Sequence, residues 1–216
     1  EPWDLDEEFF SLWAGDSTAL SAGSRLMPHL HLPLQSGSAA TLKRMLRKTT
    51  PESFRQLLES ARKTIPGVAI TTDVIAGFPA ETEAEFGETL AFINEMQFAG
   101  GHVFTYSARP GTPAARIKEQ VPHEVRKERS HILRQVFTEM SAAYRQQFIG
   151  QTLPVLWEAS AVRNERGWQM EGLTPNYIRV TASAPELRWN HVDLVRLTGL
   201  TADSPAGAAG MSGEIV

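Results

Sequence analysis

The pattern of hydrophobic residues changes near residue 149, and this change limits the possible folds more than any other feature of the chain. On its N-terminal side, segments typical of strands alternate with helical segments; the strands are 29–35, 68–76 and 102–106, and the main helices are 38–47, 50–64, one that starts at 82, and 122–148. This order favours a parallel sheet with helices, and three strands are too few to close a barrel. We therefore predict an α/β fold for residues 1–149.

On the C-terminal side of residue 149 the predicted strands are short. Their polar and hydrophobic residues alternate, and turns separate them; the segments are 152–158, 167–173, 177–182, 192–198 and 214–216. This arrangement is typical of a small antiparallel β-barrel, which we predict as a second domain over residues 150–216. A short helix is predicted at 6–14, and loops rich in glycine, alanine and serine are predicted at 15–24 and 202–212.

Composition excludes several kinds of site. The chain contains no cysteine, so it can form no disulfide, thiolate zinc site or cysteine-ligated iron–sulfur cluster of its own. Its formal net charge is −4, so a surface for nucleic acid would have to be a local patch. No apolar run is long enough to span a membrane and no signal peptide is seen, which favours a cytoplasmic protein without membrane contact. Because the chain starts at Glu1 rather than methionine, we expect a truncated start.

Polar residues follow each of the three predicted strands of the sheet. They are Gln35-Ser-Gly-Ser38 after the first strand, Asp73 and Gly77-Phe-Pro-Ala-Glu81 at the end of the second, and Tyr106 to Thr112 after the third. Ligands of parallel α/β folds bind where such ends gather, so we expect one site there. Alternation along the second strand places Asp73 on the ligand side of the sheet. A structural role is also open, because Asp73 could accept loop N–H bonds and Gly77-Phe-Pro could be only a turn.

Other side chains also allow two interpretations. His29 and His31 have a spacing that can bind a metal ion, but no third ligand is evident, and hydrogen bonding is the alternative. The basic residues Lys43, Arg44, Arg47 and Lys48 could contact RNA phosphates, or they could interact with the C-terminal dipole of their own helix. Four aromatic residues of the barrel could stack on bases or fill its core; these are Trp157, Trp168, Tyr177 and Trp189.

Together these motifs resemble one family. His29-Leu-His-Leu-Pro-Leu-Gln-Ser-Gly-Ser38, Thr71-Thr-Asp-Val-Ile-Ala-Gly-Phe-Pro-Ala-Glu-Thr82 and Tyr106-Ser-Ala-Arg-Pro-Gly-Thr-Pro-Ala-Ala115 look like the last three strand motifs of radical-SAM tRNA methylthiotransferases. The segment after residue 150, with Glu171-Gly-Leu-Thr-Pro-Asn-Tyr177, resembles their TRAM RNA-binding domain. The order and spacing of the motifs are more specific than any one of them. The resemblance thus implies the C-terminal half of a partial (β/α) barrel, followed by a TRAM barrel.

The resemblance also implies a reaction and its cofactors. Two molecules of S-adenosyl-L-methionine are consumed, one giving a 5′-deoxyadenosyl radical and one a methyl group, and an adenine C2–H is replaced by a methylthio group. The sequence motifs look most like those of the branch that acts on threonylcarbamoyladenosine beside the anticodon of tRNA. The isopentenyladenosine branch, the branch that modifies a ribosomal protein, and a noncatalytic RNA-binding protein are the alternatives. The 4Fe–4S clusters of the family have no ligands in this chain, so it should not catalyse the reaction alone.

The expected site residues divide into two groups, of which the first follows from the resemblance. Those expected near S-adenosylmethionine are Gln35, Ser36, Asp73, Ile75, Gly77, Glu81, Phe104 and Tyr106, with Phe104 and Tyr106 on the adenine side. Those expected to contact the tRNA are Lys43, Arg44, Arg47, Lys48 and Arg109. No metal ligand is assigned within the chain, and the protein is expected to be a monomer.

Overall fold

Three strands form the sheet of the N-terminal half, in the order β1–β2–β3. The computed structural model describes residues 2–13, 25–165, 167–201 and 209–216, and its first strands are β1 (His29–His31), β2 (Ala69–Ala76) and β3 (Gly100–Thr105). β2 and β3 are parallel, and Asp73 lies opposite His102. β1 is shorter than predicted because Pro33 cannot donate a ladder hydrogen bond. Parallel pairing resumes at Gln35, which bridges to Val74.

The helices start where the sequence predicts. They are α1 (Glu7–Ser11), α2 (Ala39–Arg44), α3 (Pro51–Thr64), α4 (Glu83–Met96) and α5 (His123–Gln146), with short 3₁₀ turns at Pro2–Asp4 and Ala114–Arg116. α4 begins with a capping box, because the Thr82 hydroxyl accepts the Glu85 N–H and the Glu85 carboxylate accepts the Thr82 N–H. α3 begins at Pro51, directly after Thr50, whose hydroxyl accepts the Ser53 N–H.

The two faces of β2 differ as its alternation predicts. Ile70, Thr72 and Val74 are buried on one face, while Thr71, Asp73 and Ile75 are half-buried on the other. Behind the sheet, the rings of Phe54, Phe92, Phe98 and Phe137 pack against one another at centroid distances of 6.2 to 6.4 Å. A side chain at Gly101 would overlap the Phe137 ring, so α5 can pack closely on β3 only at a glycine. The polar face of the sheet is therefore the face left for a ligand.

The C-terminal half forms a closed five-stranded barrel. Its strands are β4 (Thr152–Asn164), β5 (Gly167–Leu173), β6 (Arg179–Ala184), β7 (Val192–Thr201) and β8 (Gly210–Ile215), in the order β4–β5–β6–β8–β7. The prediction of a purely antiparallel barrel is wrong, because β6 and β8 are parallel. A closed ring with an odd number of strands cannot alternate direction at every pair. The last strand also starts earlier than predicted, at Gly210.

The barrel aromatics separate into core and surface. Trp157 is buried in the core with Val155, Val195 and Leu197, and Trp168 packs against this core from a half-buried position. Tyr177 and Trp189 are exposed, at 58% and 61%. The Tyr177 ring stacks on His29 with 4.4 Å between centroids. Tyr177 and Trp189 are thus the two of the four with exposed rings, and His29 covers one face of the Tyr177 ring.

The chain divides into two compact units. The first is built mainly from Leu30–Lys63 and Ile70–Ser141, and the second mainly from Ala142–Val216 with Thr64–Ala69. The predicted domain boundary at residue 149 stays a prediction, since the units are not continuous in sequence. The predicted loop at 15–24, residue 14 of the first predicted helix, and residues 202–208 of the second predicted loop lie outside the described residues. No helix in the described part is both long and apolar enough to cross a membrane.

Candidate functional site

A cavity of about 560 Å³ lies at the carboxyl ends of the sheet strands. Five of the eight residues predicted near a cofactor line it, namely Gln35, Asp73, Ile75, Phe104 and Tyr106. Arg47 and Arg109, predicted to contact RNA, line it as well. The remaining lining residues are Phe78, Thr105, Ser107, Thr112 and Ala114. The structure therefore brings residues from all three strand ends to one cavity of a size typical of ligand sites.

Asp73 presents the carboxylate of this cavity. Its Oδ2 atom lies 3.3 Å from Nε2 of His31, and its Oδ1 atom is buried without a hydrogen-bond partner among the described residues. A buried carboxylate oxygen without a donor is costly. The structural alternative, in which Asp73 accepts loop N–H groups, does not match these contacts. A ligand that carries a hydroxyl or ammonium group would satisfy Oδ1.

Gln35 is held at the cavity by its backbone. Its N–H donates to the Asp73 carbonyl at 2.8 Å, and its carbonyl accepts the Ile75 N–H at 2.9 Å. The backbone of Gln35 is left-handed, with φ of 71°, which turns the chain sharply after the strand. These bonds fix the position of the Gln35 backbone relative to Asp73.

Ser36 supports this turn rather than lining the cavity. Its buried hydroxyl lies 3.0 Å from the Thr89 hydroxyl of α4, and the Gly37 N–H donates to the same Thr89 oxygen. A Cβ atom at Gly37 would lie 2.7 Å from Cβ of Phe92, so only glycine allows the loop to approach α4 this closely. The loop is thereby anchored to a helix of the core.

Gly77 and Glu81 also lie outside the cavity lining, where they hold its loops. Gly77 has a left-handed φ of 73°, and a Cβ atom there would lie 2.2 Å from Cγ of Arg126. Arg126 in turn donates to the Tyr106 carbonyl at 2.6 Å. The Glu81 carboxylate accepts the Gly77 N–H at 3.2 Å and an Arg129 N–H at 2.7 Å. This network connects the loop after β2 to the loop after β3.

The ion pair between Glu81 and Arg129 is buried on both sides. The side chains are 2% and 6% exposed, respectively, and the Arg129 guanidinium also lies 5.1 Å from the centre of the Phe86 ring. Burial raises the pKa of Glu81, an effect that the hydrogen bond and charge of Arg129 only partly offset. Arg129 also donates to the exposed Glu83 carboxylate. The pair therefore helps to hold the loop after β2 in place beside the cavity.

Aromatic rings form the other side of the cavity. Phe78 packs edge-on against Tyr106 at 5.4 Å between centroids, and Phe104 is 53% exposed on the open face. The Tyr106 hydroxyl is buried and has no hydrogen-bond partner in the part of the chain that the structure describes. Sequence reasoning missed Phe78, although its place between Gly77 and a proline in a strand-end loop was an available signal. These rings suit the flat face of a base.

The four basic residues of the 43–48 segment do not act together. Lys43 is exposed at the end of α2, and Lys48 borders a different cavity of about 410 Å³. Arg44 forms a two-pronged ion pair with Glu85, at 2.8 and 2.6 Å, which lowers the pKa of Glu85. Arg47 alone of the four lines the site cavity. Their contact with RNA stays a prediction.

Metal binding has no support in this region. His31 contacts Thr71 and Asp73, while His29 stacks on Tyr177. Among the described residues, no group of three or more histidine, aspartate or glutamate side chains could hold a metal ion. The two histidines therefore belong to separate arrangements.

The sequence is similar to two kinds of tRNA-modifying protein. It is 42% identical over 167 residues to threonylcarbamoyladenosine tRNA methylthiotransferase MtaB of Bacillus subtilis (strain 168), covering 77% of this chain and 37% of that protein. It is 40% identical over 164 residues to tRNA-2-methylthio-N(6)-dimethylallyladenosine synthase of Staphylococcus haemolyticus (strain JCSC1435), covering 76% of this chain and 30% of that protein. The chain thus spans about a third of the length of these relatives.

Two further comparisons concern the fold. Residues 19–93 match the Radical SAM superfamily. Coproporphyrinogen III oxidase (HemN) from Escherichia coli, a radical SAM enzyme, has a similar structure, with a TM-score of 0.51 over all of this chain and 50% of that chain. The two sequences are 14% identical, so this likeness describes the fold alone.

Proposed function

The chain is a relative of the radical SAM tRNA methylthiotransferases, and we propose that it forms the S-adenosylmethionine site and an RNA-binding barrel of such an enzyme. The complete enzyme would replace C2–H of N6-threonylcarbamoyladenosine, beside the anticodon of tRNA, by a methylthio group. Residues 1–149 would be the C-terminal part of the radical SAM domain, and residues 150–216 a TRAM-like domain. The tRNA substrate implies a cytoplasmic enzyme. The observation that carries the proposal is the joining of three family motifs at one cavity.

The residues of the cavity fit S-adenosylmethionine. Asp73 and Gln35 offer acceptors for ribose hydroxyls or the ammonium group, and Tyr106 and Phe104 offer rings for the adenine. Arg47 and Arg109 could pair with the carboxylate. Two buried polar atoms without protein partners, Oδ1 of Asp73 and the Tyr106 hydroxyl, support a polar ligand in the described part of this cavity. When bound, one molecule of S-adenosylmethionine would supply a methyl group, and another, cleaved with an electron from a reduced cluster held by other residues, would supply the 5′-deoxyadenosyl radical.

The same residues do not fit an iron–sulfur cluster. Such clusters are held by cysteine thiolates, and the 216 residues contain none. Any 4Fe–4S cluster would be held by other residues, and we expect no methylthiolation by this chain alone. The role of these residues is to bind and orient S-adenosylmethionine and the RNA.

The closest alternative within the family is the dimethylallyladenosine (isopentenyladenosine) substrate. The two identities, 42% and 40%, differ too little to separate the substrates. The ribosomal-protein branch is a further alternative within the family. A noncatalytic RNA-binding role is the alternative outside it, and the exposed Tyr177 and Trp189 of the barrel favour RNA contact in either case.

A chimaera tests the proposal. This chain would replace the matched region of Bacillus subtilis MtaB, in a strain that lacks MtaB, and the tRNA nucleosides would be measured by mass spectrometry. We expect 2-methylthio-N6-threonylcarbamoyladenosine to return, and Asp73→Asn to reduce it strongly. Glu88→Gln, at an exposed position of α4, is the carboxylate control. A parallel chimaera with a dimethylallyladenosine synthase tests the other substrate. If both chimaeras are expressed and folded but neither nucleoside is restored, the enzymatic proposal is contradicted.

A further inference from the structure

Three polar side chains form a row across the open face of the sheet, beside the cavity. His31 lies on β1, Asp73 on β2 and His102 on β3, where His102 is the register partner of Asp73. The rings of the two histidines are 6.3 Å apart between centroids. Of the three, only Asp73 is among the described residues that line the cavity. An effect of His31 on a ligand would therefore pass through Asp73.

His31 contacts β2 through both of its ring nitrogens. Nδ1 lies 3.0 Å from the Thr71 hydroxyl, and Nε2 lies 3.3 Å from Oδ2 of Asp73. A carboxylate oxygen accepts but does not donate, so the arrangement favours a proton on Nε2. In the neutral ring, Nδ1 is then the acceptor of the Thr71 hydroxyl. Thr71 thus sets the orientation of the ring, and the ring faces the carboxylate with a donor.

We propose that His31 is a positioning residue, which holds the Asp73 carboxylate for binding of S-adenosylmethionine; this inference rests on the proposed function. Contact at Oδ2 limits rotation of the carboxylate. Oδ1, which is buried and has no partner in the described part of the protein, is then held in place beside the cavity that Asp73 lines. It is the acceptor left for a ribose hydroxyl or the ammonium group of the ligand. Thr71 therefore orients His31, His31 holds Asp73, and Asp73 binds the ligand.

His102 provides a matched control for this proposal. It is the same residue type on the same face of the sheet, and it lies beside Asp73 on the opposite side from His31. Both imidazoles are exposed. If loss of any histidine from this face weakens ligand binding, His31→Ala and His102→Ala will both weaken it. If His31 acts by positioning Asp73, only His31→Ala will weaken it.

The first experiment determines the tautomer of His31 in the full 216-residue chain. Imidazole nitrogen resonances of the ¹⁵N-labelled protein distinguish a proton on Nε2 from a proton on Nδ1. We expect the neutral ring to carry its proton on Nε2, and Asp73→Asn to shift the His31 resonances more than those of His102. A neutral ring protonated mainly on Nδ1 would overturn the proposal.

The second experiment measures affinity for S-adenosylmethionine by NMR titration of the same chain. We expect His31→Ala to weaken binding about tenfold, and His31→Gln, which keeps a donor near the Nε2 position, to recover part of the loss. His102→Ala should stay within about twofold of wild type. In the Asp73→Asn background, His31→Ala should have little further effect, because its action depends on the carboxylate.

The outcomes separate the two proposals. If the wild-type chain binds S-adenosylmethionine and His31→Ala binds equally well, the positioning role is wrong and the cofactor site stands. The same conclusion follows if the losses of His31→Ala and Asp73→Asn multiply in the double variant. If the wild-type chain shows no binding at all, the proposed cofactor site is wrong, and the role of His31 falls with it. Amide resonances of α3 and α4 that keep their positions confirm that the sheet unit of each variant is folded.

Discussion

A carboxylate on a strand of the sheet and one on a strand of the barrel differ in their partners. The barrel is closed, and its buried Glu171 has Arg179 as an ionic partner. The sheet ends at β1 and β3 within the described residues, and one of its faces carries Asp73, whose Oδ1 has no partner among them. In the barrel, the donor that the Glu171 carboxylate needs comes from the neighbouring strand β6. The difference teaches that a ligand site is expected where the fold leaves polar groups for something else to satisfy.

The largest effect is expected in the barrel core. Trp157 is 1% exposed, and its indole N–H donates to Asp193 at 2.8 Å. Trp157→Ala should lower the free energy of unfolding by about 3–5 kcal/mol, because it leaves a cavity and removes the indole hydrogen bond to Asp193. Chemical denaturation followed by circular dichroism measures this. Trp189→Ala, at an exposed position, should change stability by less than about 0.5 kcal/mol; equal losses would show that the barrel core is not as described.

The next effect is expected at the ion pair that supports the sheet site. Arg129→Met leaves Glu81 buried without its cation and should cost about 3–5 kcal/mol of unfolding free energy. The double variant Arg129→Met/Glu81→Met should recover much of that loss, because no buried charge remains. Denaturant titrations of both proteins measure the difference. A double variant as unstable as the single one would mean that packing, rather than charge, accounts for the cost.

A smaller effect is expected at the glycine beside Arg126. Gly77→Ala forces a left-handed alanine and a contact with the Arg126 side chain, so it should cost about 1–3 kcal/mol. Gly87→Ala is the control, because a Cβ atom at this position of α4 meets no atom within 4 Å. That change should stabilise the protein by roughly 0.5–1 kcal/mol. Denaturant titrations measure the change in stability of each variant. Changes of opposite sign support the description of Gly77, and changes of the same sign contradict it.

The smallest effect is a difference in pH dependence. Arg188 lowers the pKa of Asp193 in the barrel, so Asp193 contributes stability above its usual pKa and loses it as the pH falls. Burial raises the pKa of Glu81, so its contribution falls as the pH rises through the raised value. We expect Asp193→Asn to become less destabilising as the pH falls, and Glu81→Gln as the pH rises. Urea titrations between about pH 3 and pH 7 measure how the stability loss of each variant changes with pH. A change of the same sign in both variants would be evidence against the assignment of these pKa shifts.

Local features of the fold could be predicted from the sequence. The capping box at Thr82 and Glu85 depends on residues three apart, and the two faces of β2 depend on alternation within one strand. Both are confirmed. The gathering of Gln35, Asp73 and Tyr106 at one cavity could also be predicted, because parallel strands align their carboxyl ends.

Contacts between distant residues could not be predicted in the same way. Arg129 is 48 residues from Glu81, and no local pattern connects them. The need for glycine at position 77 depends on Arg126 of a later helix. The contact of His31 with Thr71 spans 40 residues. The parallel pairing of β6 with β8 depends on closure of the barrel, which strand patterns alone do not indicate.

The comparison of sheet and barrel is tested most directly by adding S-adenosylmethionine to the ¹⁵N-labelled 216-residue chain. NMR detects weak binding and locates it. The account predicts amide shifts at Gln35, Asp73, Ile75 and Tyr106, with the barrel core unchanged, and loss of these shifts in Asp73→Asn. Shifts confined to the barrel, or none at saturating concentration, would contradict the claim that the sheet cavity is the cofactor site.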